Sequence, residues 1–417
     1  MPIKRYIFDE LKGHLSKKEM SLIVGPRQAG KTTLMMQLKD HLEKKGEQTL
    51  FLSLDFERDM PHFATQSALL NRIRLELGSR RGFVFIDEIQ RKENAGLFLK
   101  GIYDMQMPYK LIISGSGSVE LKEKIHESLA GRKRVFELNT VSLSEFIDFK
   151  TGYKYAGKLD RYFRVNKAES MSFLAEYLNF GGYPRVIVEE TRNEKLRIID
   201  EIYRSYIEKD IAFLLRVERI DAFGNLIRLL AGQAGNLINL NELSSTLGIS
   251  VQTVKNYIAY AEKTFIVKRI TPFFRNIRKE ISKSPMIYFN DIGLRNFSMD
   301  KFGRYAMFSE MGFAFQNLVQ GILQDKIRYE GSALHFWRTK DRAEVDFIIG
   351  SGDEALPVEV KCKELKDKSI GRSLKSFINE YNSKEAWVIN LGLKDEVKVS
   401  GTLVRFMTIF DLLSENI

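Results

Sequence analysis

Short apolar runs alternate with helically spaced apolar positions along the first third of the chain. Each run covers four residues, and the first is followed by apolar residues at helical spacing from Leu34 to Leu42. Short runs that alternate with helical stretches predict the strands of an α/β domain. The runs occupy residues 21–24, 83–86, 110–113 and 135–138.

Helical spacing extends from Leu174 to about Leu230, with one interruption. The interruption is the string Phe-Gly-Gly-Tyr-Pro at residues 180–184, whose glycines and proline favour a turn. We interpret this stretch as a helical lid and assign no functional site to it.

A winged helix-turn-helix is predicted in the segment that follows. Gly248 lies where a turn is needed between two helices, and Ser250 is suited to cap the second helix. The apolar runs 265–267 and 287–289 are then predicted to be wing strands. The apolar positions of the two helices are Leu240, Leu243, Leu247, Ile249, Val254 and Ile258.

Two further strands joined by a turn are predicted near residue 350. Residues 343–349 first alternate and then become apolar, residues 350–353 favour a turn, and residues 356–361 are rich in apolar positions again. The short string Phe336-Trp337-Arg338 precedes them. This arrangement predicts a second α/β unit at the C-terminal end.

The length of 417 residues corresponds to two to four domains, and the 44% of apolar residues suffices for a core in each. Composition therefore excludes a disordered or fibrous chain. We predict three units, at residues 1–165, 166–295 and 296–417.

The charge is moderately basic and unevenly distributed. The 65 Lys and Arg residues outnumber 54 Asp and Glu residues, which gives a net charge of +11. Basic and acidic residues balance after residue 300, so the excess lies in the first two thirds. Such a surface suits a polyanionic partner and is equally typical of a soluble protein.

Cys362 is the single cysteine, which excludes an intramolecular disulfide and a cysteine-based zinc site. No apolar run approaches the roughly eighteen residues needed to span a bilayer, and charges at Asp9, Glu10 and Lys12 interrupt the position of a signal peptide. We therefore expect a cytoplasmic protein with no membrane contact.

A complete phosphate-loop motif, G-x4-G-K-T, lies between the first apolar run and the first helical pattern. The glycines let backbone N–H groups converge on phosphate oxygens, and the helix N-terminus adds partial positive charge. Lys31 would reach the β- and γ-phosphates, and the Thr32 hydroxyl would bind magnesium. ATP and Mg²⁺ are thus the expected cofactors. The predicted nucleotide-binding residues are Gly25, Pro26, Arg27, Gln28, Ala29, Gly30, Lys31, Thr32 and Thr33.

Acidic and hydroxyl residues end two later strands of this unit. Asp87 and Glu88 end the run 83–86, an arrangement in which Asp87 would hold magnesium and Glu88 would polarise the attacking water. Ser114 ends the next run, where its hydroxyl could sense the γ-phosphate, although serine is also an ordinary turn residue. We predict a catalytic role for Ser114 beside Lys31 and Glu88.

A basic cluster at residues 132–134 precedes the run 135–138. One interpretation is an arginine finger, because phosphoryl transfer benefits from a cation beside the developing charge. Solvated surface charge is the alternative interpretation.

Several strings resemble the successive motifs of a family of AAA-type ATPases from archaea and bacteria. They are GPRQAGKTTL, FVFIDEIQ, IISGSGS, LAGR and VSLSEF, followed by the GGYP-like turn and the FWR, EVDF and PVEVK strings. The resemblance runs through the whole chain and implies a C-terminal domain of unknown function with a restriction-endonuclease-like core. It also implies that Arg132, in the position of the AGR motif, faces the nucleotide.

The predicted winged helix carries candidate DNA contacts. The second helix would present four polar residues outward, and basic residues outnumber acidic ones in the predicted wing. A polar helix beside a basic wing suggests duplex DNA, whereas winged helices in ATPases also serve as lids or docking modules. The candidate residues are Gln252, Thr253, Lys255, Asn256, Arg275, Arg278 and Lys279.

The C-terminal pair of strands has the D-x12-E-x-K spacing of a restriction-endonuclease-like site, at Asp346, Glu359 and Lys361. On adjacent strands the two carboxylates could share one magnesium, and Lys361 would stabilise hydroxide or phosphate. The resemblance places Gln316 where relatives usually have a metal-binding glutamate. A neutral amide is a poorer magnesium ligand than a carboxylate. Glu310 lies about 240° away on a helix and is not a substitute.

The sequence thus predicts a magnesium-dependent ATPase of α/β class: an AAA-type domain, a helical lid with a winged helix, and a nuclease-like domain that acts on DNA. A nucleotide-dependent switch whose C-terminal domain docks a protein partner without cleavage is the alternative. Homo-oligomerisation is left open, as are nuclease activity and DNA preference.

Overall fold

A computed structural model describes residues 2–116, 128–205, 219–274, 284–350 and 354–415. The elements of the N-terminal part are listed next in chain order. They are α1 (Ile7–His14), β1 (Met20–Gly25), α2 (Lys31–Glu43), β2 (Thr49–Ser53), α3 (Gln66–Leu77), β3 (Gly82–Asp87), α4 (Ala95–Asp104), β4 (Tyr109–Ser116), β5 (Lys133–Glu137) and α5 (Leu143–Lys150).

Helices dominate the middle of the chain, as predicted. They are α6 (Leu159–Val165), α7 (Lys167–Phe180), α8 (Pro184–Val188), α9 (Arg192–Arg204), α10 (Ile220–Gly232), α11 (Leu240–Leu247) and α12 (Val251–Lys263).

Strands and helices mix again towards the C-terminus. The elements are β6 (Val267–Pro272), β7 (Met286–Phe289), α13 (Ile292–Ser298), α14 (Gly312–Lys326), β8 (Leu334–Arg338), β9 (Glu344–Ile349), β10 (Leu356–Val360), α15 (Arg372–Tyr381), β11 (Glu385–Asn390), β12 (Asp395–Val399), β13 (Thr402–Thr408) and α16 (Ile409–Ser414).

The first sheet is parallel and has the strand order β2-β3-β4-β1-β5. Alternate residues of β3 enter different cores, as the period of two of a strand requires. Val84 and Ile86 pack with α3 and α4, whereas Phe83 and Phe85 pack with α1 and α2. The parallel arrangement brings the carboxyl ends of all five strands to one edge.

Helices α11 and α12 lie where the helix-turn-helix was predicted. Gly248 ends α11 in the left-handed region with φ 61°, and the Ser250 hydroxyl accepts a hydrogen bond from the Thr253 N–H at 3.0 Å. The first wing strand begins later than predicted, at Val267, because Phe265 has a positive φ of 62° and lies in a turn.

The second sheet crosses the boundary predicted at residues 295 and 296. Its order is β12-β13-β11-β10-β9-β8-β6-β7, so the wing hairpin supplies two of its eight strands. Thr271 of β6 pairs in parallel with His335 of β8. One core accordingly joins Tyr288 of the hairpin to Phe336 and Phe347, and it extends to Phe146 of α5. Strands β6 and β7 therefore share one sheet with the C-terminal strands.

A search for helices that could cross a membrane, limited to the described ranges, found none that is sufficiently long and apolar.

Candidate nucleotide site and nuclease-like pocket

The strand order explains why the predicted nucleotide-site residues meet. Strand β4 lies between β1 and β3, so Ser114 lies between the end of the phosphate-loop strand and Asp87. Ligands of parallel α/β sheets bind outside the carboxyl ends of the strands. The sheet therefore delivers the phosphate loop and both polar strand ends to the edge where a nucleotide would bind.

Two carbonyl groups of the phosphate loop bind the Lys31 side chain. Lys31 is buried, and its Nζ donates to the carbonyl oxygens of Gly25 at 3.1 Å and Pro26 at 2.8 Å. A Cβ atom at Gly25 would collide with the Leu138 carbonyl, so the first glycine is required by close backbone packing. Helix α2 begins at Lys31 and points its N-terminus at the edge.

Three polar side chains of the site are directly linked. Thr32 Oγ1 donates to Asp87 Oδ2 at 2.7 Å, and the buried Ser114 hydroxyl donates to Asp87 Oδ1. The hydroxyl and the carboxylate predicted to hold magnesium thus converge on one point. Ser114 reaches the site through Asp87, an arrangement that the sequence did not indicate.

Glu88 has an unusual backbone for its residue type. Its φ of 57° and ψ of 42° are left-handed, and its N–H donates to Ser114 Oγ at 3.3 Å. The Gln90 amide nitrogen donates to Glu88 Oε2. Such conformations of a non-glycine residue occur preferentially at functional sites.

Arg132 does not face the phosphate loop of its own chain, in contrast to the prediction. Its carbonyl accepts from Met20, the first residue of β1, so Arg132 lies at the amino edge of the sheet while the phosphate loop lies at the carboxyl edge. Its Nε donates to Asp104 Oδ1 at 2.7 Å. The AGR motif predicts an arginine at this position. The direction of β5 determines that this arginine lies at the amino edge of the sheet.

The GGYP-like turn brings the middle of the chain onto the phosphate loop. Arg185 of α8 donates through Nη1 to Gln28 Oε1 at 3.0 Å and forms a two-point ion pair with Glu201. The Gly182 N–H donates to Asp291 at 2.8 Å, and a Cβ atom at Gly182 would collide with the Val141 carbonyl. Neither Arg185 nor Asp291 was predicted, because their contacts join distant parts of the chain.

Helix α12 presents in part the polar surface predicted for a DNA-contacting helix. Gln252, Lys255 and Asn256 are exposed, whereas Thr253 is half-buried and its hydroxyl contacts Ser250 at 2.8 Å. Gln252 Nε2 donates to Asn256 Oδ1 at 3.0 Å. The remaining predicted DNA contacts lie outside the described residues. These are Arg275, Arg278 and Lys279.

The residues predicted to form a nuclease-like site lie close together on β9, β10 and α14. Strands β9 and β10 are antiparallel neighbours, with Phe347 paired to Val358, which sets Asp346 beside Glu359. Gln316 of α14 donates through Nε2 to Asp346 Oδ1 at 2.8 Å and to the Tyr288 hydroxyl at 3.2 Å. Gln316 therefore contacts Asp346 directly.

Each carboxylate of this pocket already has partners. Asp346 Oδ2 accepts from the Val360 N–H at 2.7 Å, and Glu359 Oε1 pairs with Lys361 Nζ at 2.7 Å. Desolvation raises the pKa of Asp346 to about 7, against the weaker opposing effects of the Val360 N–H and Lys361. The ion pair with Glu359 raises the pKa of Lys361 despite its burial.

Family comparisons divide the chain at positions close to the structural elements. Residues 17–147 match the family model described as an AAA domain. The N-terminal α/β part is therefore similar to an AAA-type domain. Residues 171–304 and 311–409 match two domains of unknown function, DUF8612 and DUF4143.

Curated relatives match the chain along most of its length. An uncharacterized protein of Methanocaldococcus jannaschii is 26% identical over 386 residues, which cover 91% of this chain and 82% of the relative. An uncharacterized protein of Mycobacterium tuberculosis is 26% identical, with coverage of 88% and 75%. One of Haemophilus influenzae is 24% identical and covers 82% of each chain.

Solved structures resemble the chain only weakly. ORC1 of Aeropyrum pernix in complex with DNA has a TM-score of 0.30 and 13% identity, and the match covers 72% of this chain and 93% of that chain. DnaA of Aquifex aeolicus bound to AMPPCP has a TM-score of 0.26 and 16% identity, with coverage of 62% and 86%. TM-scores this low do not establish a shared overall fold.

The two predicted magnesium sites differ in their fit. In the AAA-type domain, Thr32 and Asp87 supply adjacent oxygen atoms beside a phosphate loop, which suits an ion that also binds phosphate oxygens. In the nuclease-like pocket the third group is an amide nitrogen aimed at Asp346. Within the described ranges, no group of three or more His, Cys, Asp or Glu side chains could hold a metal ion.

Proposed function

We propose that this chain binds and hydrolyses ATP in its AAA-type domain, with magnesium. The observation that carries this proposal is the convergence of Lys31, Thr32, Asp87 and Ser114 at the carboxyl edge of a parallel sheet. This combination supplies a phosphate cradle, a cation and adjacent metal ligands. The AAA family match over residues 17–147 supports it.

Each side chain has a distinct task in this proposal. When ATP binds, Lys31 Nζ leaves the loop carbonyls and donates to phosphate oxygens instead. The N–H groups at the start of α2 bind the same phosphates. Bound magnesium, held by Thr32 and Asp87, supplies charge neutralisation. Glu88 orients and polarises the attacking water, and Ser114 keeps Asp87 and the Glu88 backbone in place.

The test of ATP binding compares two lysines of the same helix. Lys31→Ala should lose detectable ATP binding by calorimetry and lose turnover, because it removes the cation beside the phosphates. Lys39→Ala removes only a surface pair with Glu43 and should behave as wild type. A Lys31→Ala variant that hydrolyses ATP at the wild-type rate contradicts the proposal.

We extend this proposal to DNA as the macromolecular partner. The exposed Gln252, Lys255 and Asn256 on α12 form a polar surface of the type that enters a major groove. The shared sheet connects this winged helix to the nuclease-like pocket. We propose that a change in the bound nucleotide rearranges these two parts of the chain on DNA.

The geometry of Gln316 favours a second candidate function. Its amide nitrogen, rather than an oxygen, faces Asp346, so the pocket offers hydrogen-bond partners more readily than a magnesium site. In this alternative, the C-terminal domain docks a protein partner in a nucleotide-dependent manner and cleaves nothing.

One experiment separates the two candidates. Plasmid DNA is incubated with ATP and Mg²⁺ or Mn²⁺, using wild type, Asp346→Ala and Lys31→Ala. Cleavage that disappears with Asp346→Ala supports the nuclease, and loss with Lys31→Ala shows that ATP controls it. Intact plasmid together with DNA retention in a gel shift supports a DNA-binding role without cleavage. If the protein neither cleaves nor retains DNA, the protein-docking alternative is favoured.

A further inference from the structure

Arg5 is a buried arginine that precedes the segment matching the AAA family model. Its side chain is 8% exposed and points into the junction between the phosphate loop, the segment after β5 and helix α5. A buried guanidinium needs several acceptors to offset its desolvation. The contacts of Arg5 therefore define what it holds.

The guanidinium of Arg5 donates to four groups from three parts of the chain. Nε donates to Glu145 Oε2 at 3.1 Å, and Nη1 donates to the Ala29 carbonyl of the phosphate loop at 3.0 Å. Nη2 donates to the carbonyls of Asn139 at 2.8 Å and Thr140 at 3.1 Å. Three of these acceptors are backbone carbonyls, so the fork fixes main-chain orientation.

Glu145 holds Arg5 in this orientation. Its carboxylate also accepts from the Ser142 N–H at 2.9 Å and the Tyr6 N–H at 2.6 Å, and its own N–H donates to Ser142 Oγ at 3.3 Å. This capping box accounts for the serine and glutamate of the VSLSEF string. The motif thus supports Arg5 as well as beginning α5.

The contact with Ala29 has a direct consequence for phosphate binding. A trans peptide is planar, so its carbonyl and N–H groups point in opposite directions. When Arg5 fixes the Ala29 carbonyl on the inner side, the Gly30 N–H is directed to the opposite side of the loop. Lys31 binds two other carbonyls of the same loop, those of Gly25 and Pro26.

We propose that Arg5, oriented by Glu145, is a positioning residue that holds the phosphate loop in its anion-binding conformation through the Ala29 carbonyl. This inference rests on the proposed ATP binding. Arg5 contacts neither reacting atoms nor magnesium ligands, so it acts on affinity for the phosphates. Without the fork, the peptide between Ala29 and Gly30 is free to turn its carbonyl towards the nucleotide.

The test separates KM from kcat in ATP hydrolysis. Arg5→Lys keeps a positive charge but loses the fork geometry, and we expect KM for ATP to rise about tenfold with kcat changed less than about threefold. A purely structural defect would instead lower the competent fraction, so apparent kcat would fall at unchanged KM. That second pattern overturns the inference.

Two further variants keep the test decisive if Arg5→Lys folds poorly. Glu145→Gln retains the shape of the side chain but weakens the hold on Arg5, so it should raise KM in the same direction by a smaller factor. Arg81→Lys alters an arginine that donates to the Leu15 carbonyl at 3.2 Å elsewhere in the domain, and KM should stay unchanged. Wild-type KM in folded Glu145→Gln contradicts the inference.

Calorimetry with ATP and Mg²⁺ distinguishes this inference from the proposed function. Wild type that binds no nucleotide overturns both. Wild type that binds and hydrolyses ATP, together with folded Arg5→Lys of equal affinity, overturns only the role of Arg5.

Discussion

At the scale of single residues, Glu88 combines a costly backbone conformation with a place at the end of β3. A non-glycine residue in the left-handed region costs about 1 kcal/mol or more. The conformation directs the Glu88 N–H to Ser114 and turns the chain into the following 3₁₀ segment, Ile89–Arg91. The strain is therefore located where the proposed water-activating carboxylate has to be aimed.

Replacing Glu88 tests this role. Glu88→Gln should bind ATP with wild-type affinity but hydrolyse it at least about 100-fold more slowly, because the neutral amide cannot accept a proton from water. Single-turnover kinetics with calorimetric affinities measure both quantities. The exposed Glu93 offers a control, and Glu93→Gln should keep the wild-type rate. An unchanged rate in Glu88→Gln excludes the water-polarising role.

Asp346 should give the stability of the protein a distinctive pH dependence. Its pKa is raised to about 7, whereas an unfolded aspartate titrates near 3.8. The folded state therefore binds the proton more tightly, and the contribution of Asp346 to stability falls as pH rises between these values. The charges of Glu344, Glu359 and Lys361 also act on the pKa of Asp346.

Denaturant unfolding at pH 5 and pH 8 measures the effect. Asp346→Asn cannot titrate, so wild type should lose about 2 to 3 kcal/mol relative to Asp346→Asn between these two pH values. Parallel stability curves for the two proteins would show that the Asp346 proton is not taken up on folding.

Gln316 can be tested by restoring a carboxylate. Gln316→Glu should lower the melting temperature without Mg²⁺, since the new charge faces Asp346, and added Mg²⁺ should recover it. Cleavage of plasmid should appear or increase, because an anionic oxygen replaces an amide. Gln324→Glu, two helical turns further along α14, should show no Mg²⁺-dependent recovery. Absence of Mg²⁺ binding in Gln316→Glu by calorimetry excludes metal capture in this pocket.

At the scale of elements, local pattern predicted most strands and helices but not their partners. Several elements lie within a few residues of their predicted places, because each has its own periodicity and caps. They are the phosphate-loop strand β1, the strands that carry the predicted carboxylates, and helices α11 and α12. The pairing of Thr271 with His335 joins distant segments, and no periodicity encodes it. Arg5 was missed for the same reason, because its acceptors are mainly backbone carbonyls from other segments.

Helix α12 gives the element-scale prediction for DNA binding. Lys255→Ala should weaken duplex binding and reduce the salt dependence by about one counterion, if the exposed lysine contacts phosphate. Gln252→Ala and Asn256→Ala should instead change discrimination between sequences at constant salt slope. Arg197→Ala, an exposed arginine on α9, serves as the control for non-specific charge. Equal salt slopes for wild type and Lys255→Ala favour the docking-module role.

At the scale of the whole molecule, hydrogen bonds join the AAA-type domain to the second sheet. The Val141 N–H donates to the Gly182 carbonyl at 2.8 Å, and the Gly182 N–H donates to Asp291, which caps α13. Two residues before Asp291, the backbone of Phe289 exchanges two hydrogen bonds with the buried Asn317 of α14, at 2.8 and 2.7 Å. These contacts join the segment after β5 to the start of α13 and to α14, the helix that carries Gln316.

The shared sheet predicts how fragments behave. A fragment of residues 296–417 leaves β8 without its partner β6 and removes Met286 and Tyr288 from the core. We expect it to lack a cooperative thermal transition by circular dichroism. A fragment of residues 141–417 keeps both the hairpin and Phe146 of the same core and should melt cooperatively. If the shorter fragment melts as cooperatively as the longer one, the boundary predicted at residue 296 is a true domain boundary.

The shared sheet also bears on how this protein can change over generations. Two of its strands are encoded before residue 290 and the other six after residue 333. A recombination event that exchanged only the C-terminal segment would combine six new strands with the original hairpin of β6 and β7. The edge of β6 would still fit the original β8 and not its replacement. Most such chimaeras would expose an unpaired strand and aggregate. The segment that carries β6 and β7 and the C-terminal segment are therefore expected to be inherited together, as a single genetic unit with two sequence signatures.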